Sequence, residues 1–140
     1  MRGNAAFLFS AAGALLLACA GSGAAGDPPR VREGTWGGNH VSMEVAGNAV
    51  TLDFDCAHGS IQGPLTVDSE GRFEWRGAYV REHGGPIRRG EESAPGEPAR
   101  YQGKLDGDTM VFEILLTESG KSAGTFTIDF GKAGRVHKCL

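Results

Sequence analysis

From Gly34 onward, apolar residues return at every second position, and no stretch keeps the 3.6-residue period of an amphipathic helix for three turns. Only a pleated strand places such residues on one face, so the alternation makes the domain all-β. Val41, Met43 and Val45 share one face of a first predicted strand, Thr35 to Val45. Gly47-Asn48 turns it into a second, Ala49 to Cys56, where Val50, Leu52 and Phe54 alternate with Thr51, Asp53 and Asp55. A third runs from Ser60 to Asp68 with Ile61, Leu65 and Val67, and Asp68-Ser69-Glu70-Gly71 turns it into a fourth, Arg72 to Glu82, carrying Phe73, Trp75 and Tyr79. A long polar segment, His83 to Pro98, precedes a fifth strand at Ala99 to Leu105. The sixth, Thr109 to Thr117, carries Met110, Phe112, Ile114 and Leu116; the seventh, Gly124 to Phe130, carries Phe126, Ile128 and Phe130; a short eighth spans Arg135 to Leu140.

Eight consecutive antiparallel strands with mostly short links suit an up-and-down barrel, because closure removes the sheet edges that a small chain cannot otherwise protect. A β-sandwich is the alternative. The 23 glycines among 140 residues, more than twice the usual share of roughly 7%, fit so many tight turns. Trp36 is out of phase with Val41 and Met43, which predicts a bulge at Gly37-Gly38. Up-and-down order places links 2–3, 4–5 and 6–7 of the predicted strands on one rim, together with Cys56, Cys139 and the long loop. Nearly every inward position is apolar, so the barrel is either filled or holds one small apolar ligand. Tyr79, Arg81 and Tyr101, on the inward parity, would supply polar contacts near the mouth.

The segment before the domain reads as an address. Met1 to Ala18 has one basic residue, Arg2, then apolar runs and no acidic residue, which reads as a signal peptide (residues 1–18). The run is shorter than the ~20 residues that span a bilayer. Leu16-Leu17-Ala18-Cys19 resembles the bacterial lipobox, which implies that Cys19 is acylated and begins the mature chain; plain cleavage is the alternative. Residues 19–33 then form a lipidated tether, and residues 34–140 form the barrel domain. Gly21, Gly23 and Gly26 spell a G-x-G-x-x-G pattern, but without a strand before and a helix after it, the pattern is not a nucleotide site. With lipid on Cys19, Cys56 and Cys139 remain as an even pair and form a disulfide in an exported protein. The rival, a Cys56 nucleophile with His58 as base, needs a free thiol that an oxidising compartment disfavours.

Gly34-Thr35-Trp36 resembles the G-x-W start of lipocalin-like and avidin-like barrels, which bind ligands of several kinds. More broadly, GTWGG (34–38), DCAHG (55–59), GGP (84–86), PARY (98–101) and KCL (138–140) are similar to an uncharacterised family of small bacterial secreted or lipid-anchored proteins. That resemblance spans nearly the whole mature domain. It implies the domain limits and contributes no site residues.

Against 14 Lys+Arg stand 17 Asp+Glu, a formal charge of -3, which excludes a basic nucleic-acid binder. No catalytic group or cofactor motif emerges. His58, His83 and His137 fall at the loop-bearing rim with Asp55 beside His58, but their spacing matches no metal motif, so they read as solvated histidines with no metal. Asp53, Asp55, Glu44 and Glu74 lie on the outer face and read as solvated carboxylates. The His83 to Pro98 loop, with Arg88-Arg89 against Glu91-Glu92, is long enough to be a lid or a partner-binding surface. The expected function is therefore a membrane-anchored, non-enzymatic binding module of the cell envelope. Its rim engages a small apolar ligand or an envelope protein through His58, Tyr79, Arg81, His83, Arg88, Arg89 and Tyr101. The alternative is an inhibitor of an extracellular hydrolase, such as a lysozyme or a protease, with Arg88 or Arg89 plugging the cleft. Oligomeric state is not encoded in these patterns.

Overall fold

A computed structural model describes residues 26–86 and 96–139 of the chain, and all regular elements in them are strands. They are β1 (Gly34–Gly38), β2 (Val41–Ala46), β3 (Ala49–Phe54), β4 (Ala57–Gln62), β5 (Arg72–Arg81), β6 (Glu97–Asp106), β7 (Thr109–Leu116) and β8 (Ser122–Phe130). Each pairs antiparallel with the next and β8 pairs back to β1, so the sheet is a closed eight-stranded barrel with no open edge.

The strand count agrees with the sequence reading, but the membership differs at both ends. Thr35 to Val45 is two strands: the chain reverses at Asn39-His40, and Trp36 pairs with Met43 and Gly38 with Val41. The hairpin, rather than a bulge at Gly37-Gly38, accounts for the phase of Trp36, because reversal after Gly38 keeps Trp36, Val41 and Met43 all facing inward. The predicted third strand starts earlier, at Ala57, and stops at Gln62, since Pro64 has no N–H to give a ladder. Leu65 and Val67 are nevertheless buried, because Val31 N–H donates to Leu65 O at 2.9 Å and Val67 N–H to Pro29 O at 3.0 Å. The predicted eighth strand, Arg135 to Leu140, is no barrel strand: both edges of β1 are already taken, by β2 and β8. Residues 132–139 instead run outside the wall as a strap, joined to it by one bridge, Asn39 to Arg135.

Trp36, Tyr101, Phe54, Met43, Leu52 and Met110 are among the most fully buried side chains, and no buried polar or charged residue accompanies them among the described residues. Trp36 sits edge-on to Phe130 at 5.1 Å, donates its indole N–H to Arg32 O, and Phe130 carries the Arg32 guanidinium 3.9 Å above its ring. Tyr101 is wholly buried; its hydroxyl donates to Ala78 O at 2.7 Å, and burial pushes its pKa far above the ordinary tyrosine value. Gly59 makes this possible, because a Cβ there would occupy the space of that hydroxyl. The space between Met43, Leu52, Ile61, Trp75, Tyr101 and Phe112 is too narrow to admit a water molecule. Among the described residues, the barrel's own side chains fill this part of its interior.

Replacing Tyr101 with Phe leaves the Ala78 carbonyl unsatisfied in the core and is expected to cost about 1–3 kcal/mol of unfolding free energy in urea titrations. Gly59→Ala is expected to cost a similar amount through overpacking. A Tyr101→Phe variant as stable as the parent would show that the hydroxyl bond carries no net stability.

Candidate functional site at the disulfide-bearing rim

Four links share one rim, and three of them carry the polar groups considered next: Asn39-His40, Asp55-Cys56 and the start of the long link after β5. Each exposes polar groups because its backbone has left the sheet. His40 and Cys56 have φ of 65° and 53°, left-handed values that few residues other than glycine adopt, and that His tolerates better than most. Both are held by the strap. His40 N–H donates to Arg135 O at 2.7 Å, Arg135 N–H to Gly38 O at 2.9 Å, and Cys56 N–H to His137 O at 3.3 Å. The Cys56–Cys139 disulfide joins the strap to the rim, with Cα atoms 4.9 Å apart and a sequence separation of 83.

The strap can lie against β1 only because Gly37 has no side chain; a Cβ there would strike the backbone of Lys132, Ala133 and Gly134. Gly134 in turn packs on Val41 and Ser42. Beyond it, the Lys138 ammonium donates to Asp53 Oδ1 at 2.8 Å, Glu82 Oε1 at 3.1 Å and Ala57 O at 3.2 Å. Partial burial alone would lower the Lys138 pKa, but the two carboxylates outweigh it and raise it. Burial likewise pushes the Glu82 carboxyl up, while hydrogen bonds from His58 and Lys138 bring it below its ordinary value.

His40, Asp55 and His137 converge at this rim. The His40 Nδ1 lies 2.5 Å from Asp55 Oδ2, His137 Nδ1 lies 3.8 Å from Asp55 Oδ1, and the His137 backbone N–H donates to that same oxygen at 2.7 Å. That backbone bond, with the His40 side chain adding to it, holds the Asp55 carboxyl below the usual carboxylate range.

The other residues singled out from sequence are dispersed. His58 is on the outside of β4, with Nδ1 2.7 Å from Glu82 Oε1, so it belongs to the Lys138 cluster and not to the Asp55 group. His83 is exposed beyond the end of β5. Tyr79 is a core residue packed on Phe54, with ring centroids 5.7 Å apart, and burial raises its pKa. Arg81 is exposed at the end of β5, where it still pairs with Ala57 of β4 but has no partner on β6, so its side chain stands at the mouth and not in the core. Tyr101 faces the filled core. Arg88, Arg89 and Cys19 lie outside the described residues. His40 was missed by sequence reasoning, which placed it within a continuous strand. The available signal was the polar pair Asn39-His40 directly after Gly37-Gly38.

A second concavity, of about 590 Å³, opens on the outer wall between β8 and the strap, bordered by Gly38, Thr127, Asp129, Lys132 and Arg135. Lys132 and Asp129 pair across it at 2.6 Å, which together with the Thr109 hydroxyl lowers the Asp129 pKa. Compared with protein-family models, with curated proteins and with solved structures, the chain matches none of them.

Exchanging both Cys56 and Cys139 for Ser is expected to lower unfolding stability by about 4–5 kcal/mol, the chain-entropy value for a loop of this length. Amide exchange should accelerate first in residues 132–139. A double variant with parental stability and parental exchange in the strap would mean that the strap holds without its covalent link.

Proposed function

We propose that this protein is an exported, lipid-anchored and non-enzymatic binding module of the bacterial cell envelope, which engages its partner from the disulfide-bearing rim and outer wall. The observation that carries the reading is the filled interior: Trp36, Phe54, Trp75, Tyr101 and Phe112 occupy the space in which a barrel of this size would hold a ligand. Recognition then falls to the outside. There the chain has invested a covalent link, a strap and a cluster of polar side chains on one rim.

The remaining parts of the reading agree with one another. A disulfide persists in an oxidising compartment, and the signal-like residues 1–18 would deliver the chain to one. The lipobox-like Leu16 to Cys19 would tie it to a membrane, with the polar segment after Cys19 as spacer. Among the described residues, the polar clusters of the rim are solvent-facing and none sets a nucleophile beside a base in a cleft, which favours binding over turnover.

Native mass spectrometry of the mature protein, stripped of metal with a chelator, should give the same mass for the folded and the denatured chain, two hydrogens below the reduced value. An organic mass released only on unfolding would reveal an interior ligand and overturn the rim reading. Separately, Cys19→Ala should move the protein from the membrane fraction to the soluble fraction of its host; a variant that still sediments with membranes would rule out the lipid anchor.

A further inference from the structure

We infer that His40, Asp55 and His137 form a surface binding site for a single divalent transition-metal ion of the zinc class. The inference names a ligand for the rim and so rests on the rim-binding reading.

One ligand atom from each of the three residues lies within 4.8 Å of the other two. Two imidazoles and a carboxylate are the donor set suited to zinc and its neighbours, and are too nitrogen-rich for calcium or magnesium. In a tetrahedral site with metal–ligand bonds of about 2.0–2.2 Å, donor atoms stand roughly 3.3 Å apart. His40 Nδ1 stands 2.5 Å from Asp55 Oδ2 and His137 Nδ1 3.8 Å from Asp55 Oδ1, so the two imidazoles flank the two oxygens of one carboxylate, and small rotations of the exposed imidazoles bring both to a metal held on Oδ2. Three protein ligands leave a fourth position facing solvent, where water or a partner's side chain completes the shell.

The surrounding structure supports the ligands as a metal site requires. A ligating carboxylate needs a hydrogen bond to orient it, and Asp55 Oδ1 receives one from the His137 backbone. The ligands come from three separate segments, yet each is fixed by backbone bonds rather than by side-chain packing. His40 is tied to Arg135 and Cys56 to His137, and the disulfide follows two residues after His137. Two non-glycine residues, His40 and Cys56, are held in left-handed conformations within this small region, a concentration of strain found where geometry serves a site. His58 is excluded by its own pairing with Glu82.

Isothermal titration of the full oxidised protein with zinc chloride should give one site per chain. His40→Asn, which keeps a residue that tolerates the left-handed backbone, together with Asp55→Asn and His137→Ala, should each weaken binding at least tenfold. His58→Ala should leave it unchanged. In the parent protein, zinc should shift the imidazole resonances of His40 and His137 and leave those of His58 and His83 in place, a readout that depends on no variant. No stoichiometric binding, unchanged affinity in the three variants, or shifts at His58 or His83 instead would each overturn the site. None of these results touches the rim-binding reading, whose failure is a ligand released from the barrel interior.

Discussion

Closure of the barrel between β1 and β8 is the constraint on which the other features rest. The seam is short, with Trp36 opposite Phe130 and Gly37 opposite Asp129, because β1 has only five residues before the chain reverses. From inside, Trp36 fills the space behind the seam, packs edge-on to Phe130 and satisfies its indole N–H on Arg32 O. From outside, the strap lies across it at Gly37, where any side chain would collide with the strap backbone. Inner and outer supports thus meet at two adjacent residues.

The strap links closure to the rim. Having crossed the seam, it must end somewhere, and it ends at the rim where Cys56 captures Cys139 and Lys138 bridges Asp53 and Glu82. His137 is carried to Asp55 by the same path. The rim cluster is therefore a consequence of how the barrel is shut. A filled interior adds to this division: the core answers only to packing, as the Tyr101 hydroxyl in the space left by Gly59 illustrates, and the exposed polar chemistry is left to the surface.

Much of the fold was legible because it is local. Period-2 alternation identified the inward residues, and those it named are buried or nearly so, with Leu105, Phe126 and Phe130 only partly covered. The eight-strand count came out right although two assignments changed, since the hairpin at Asn39-His40 adds a strand and the strap removes one. The start of the long link after β5 and Cys56 share a rim for the same reason: adding one strand at the start and removing one at the end leaves the relative order of the intervening links intact, while Cys139 reaches that rim along the strap. His40 was illegible because a mid-strand histidine on the outer face and a histidine in a tight turn have the same alternation on either side. Parity says which way a side chain points and not how near the mouth it lies, which is why Arg81 is exposed while Tyr79, two residues earlier, is in the core.

The amino-acid sequence alone determined an all-β chain, its inward face, and an even pair of cysteines once Cys19 is set aside, because each of these follows from spacing along the chain or from counting. Tertiary structure alone decided which edge closes on β1, that residues 132–139 become a strap and not a strand, and that His40 and His137 meet at Asp55, 82 residues before His137. Those outcomes are competitions among distant segments for the same edge of one strand, and the edge goes to the segment that buries the most apolar surface on closing. β8 brings Ile128 and Phe130 to that edge, whereas the strap offers Lys132, Arg135 and Lys138, so β8 takes the seam and the strap is left outside it with its histidine at the rim.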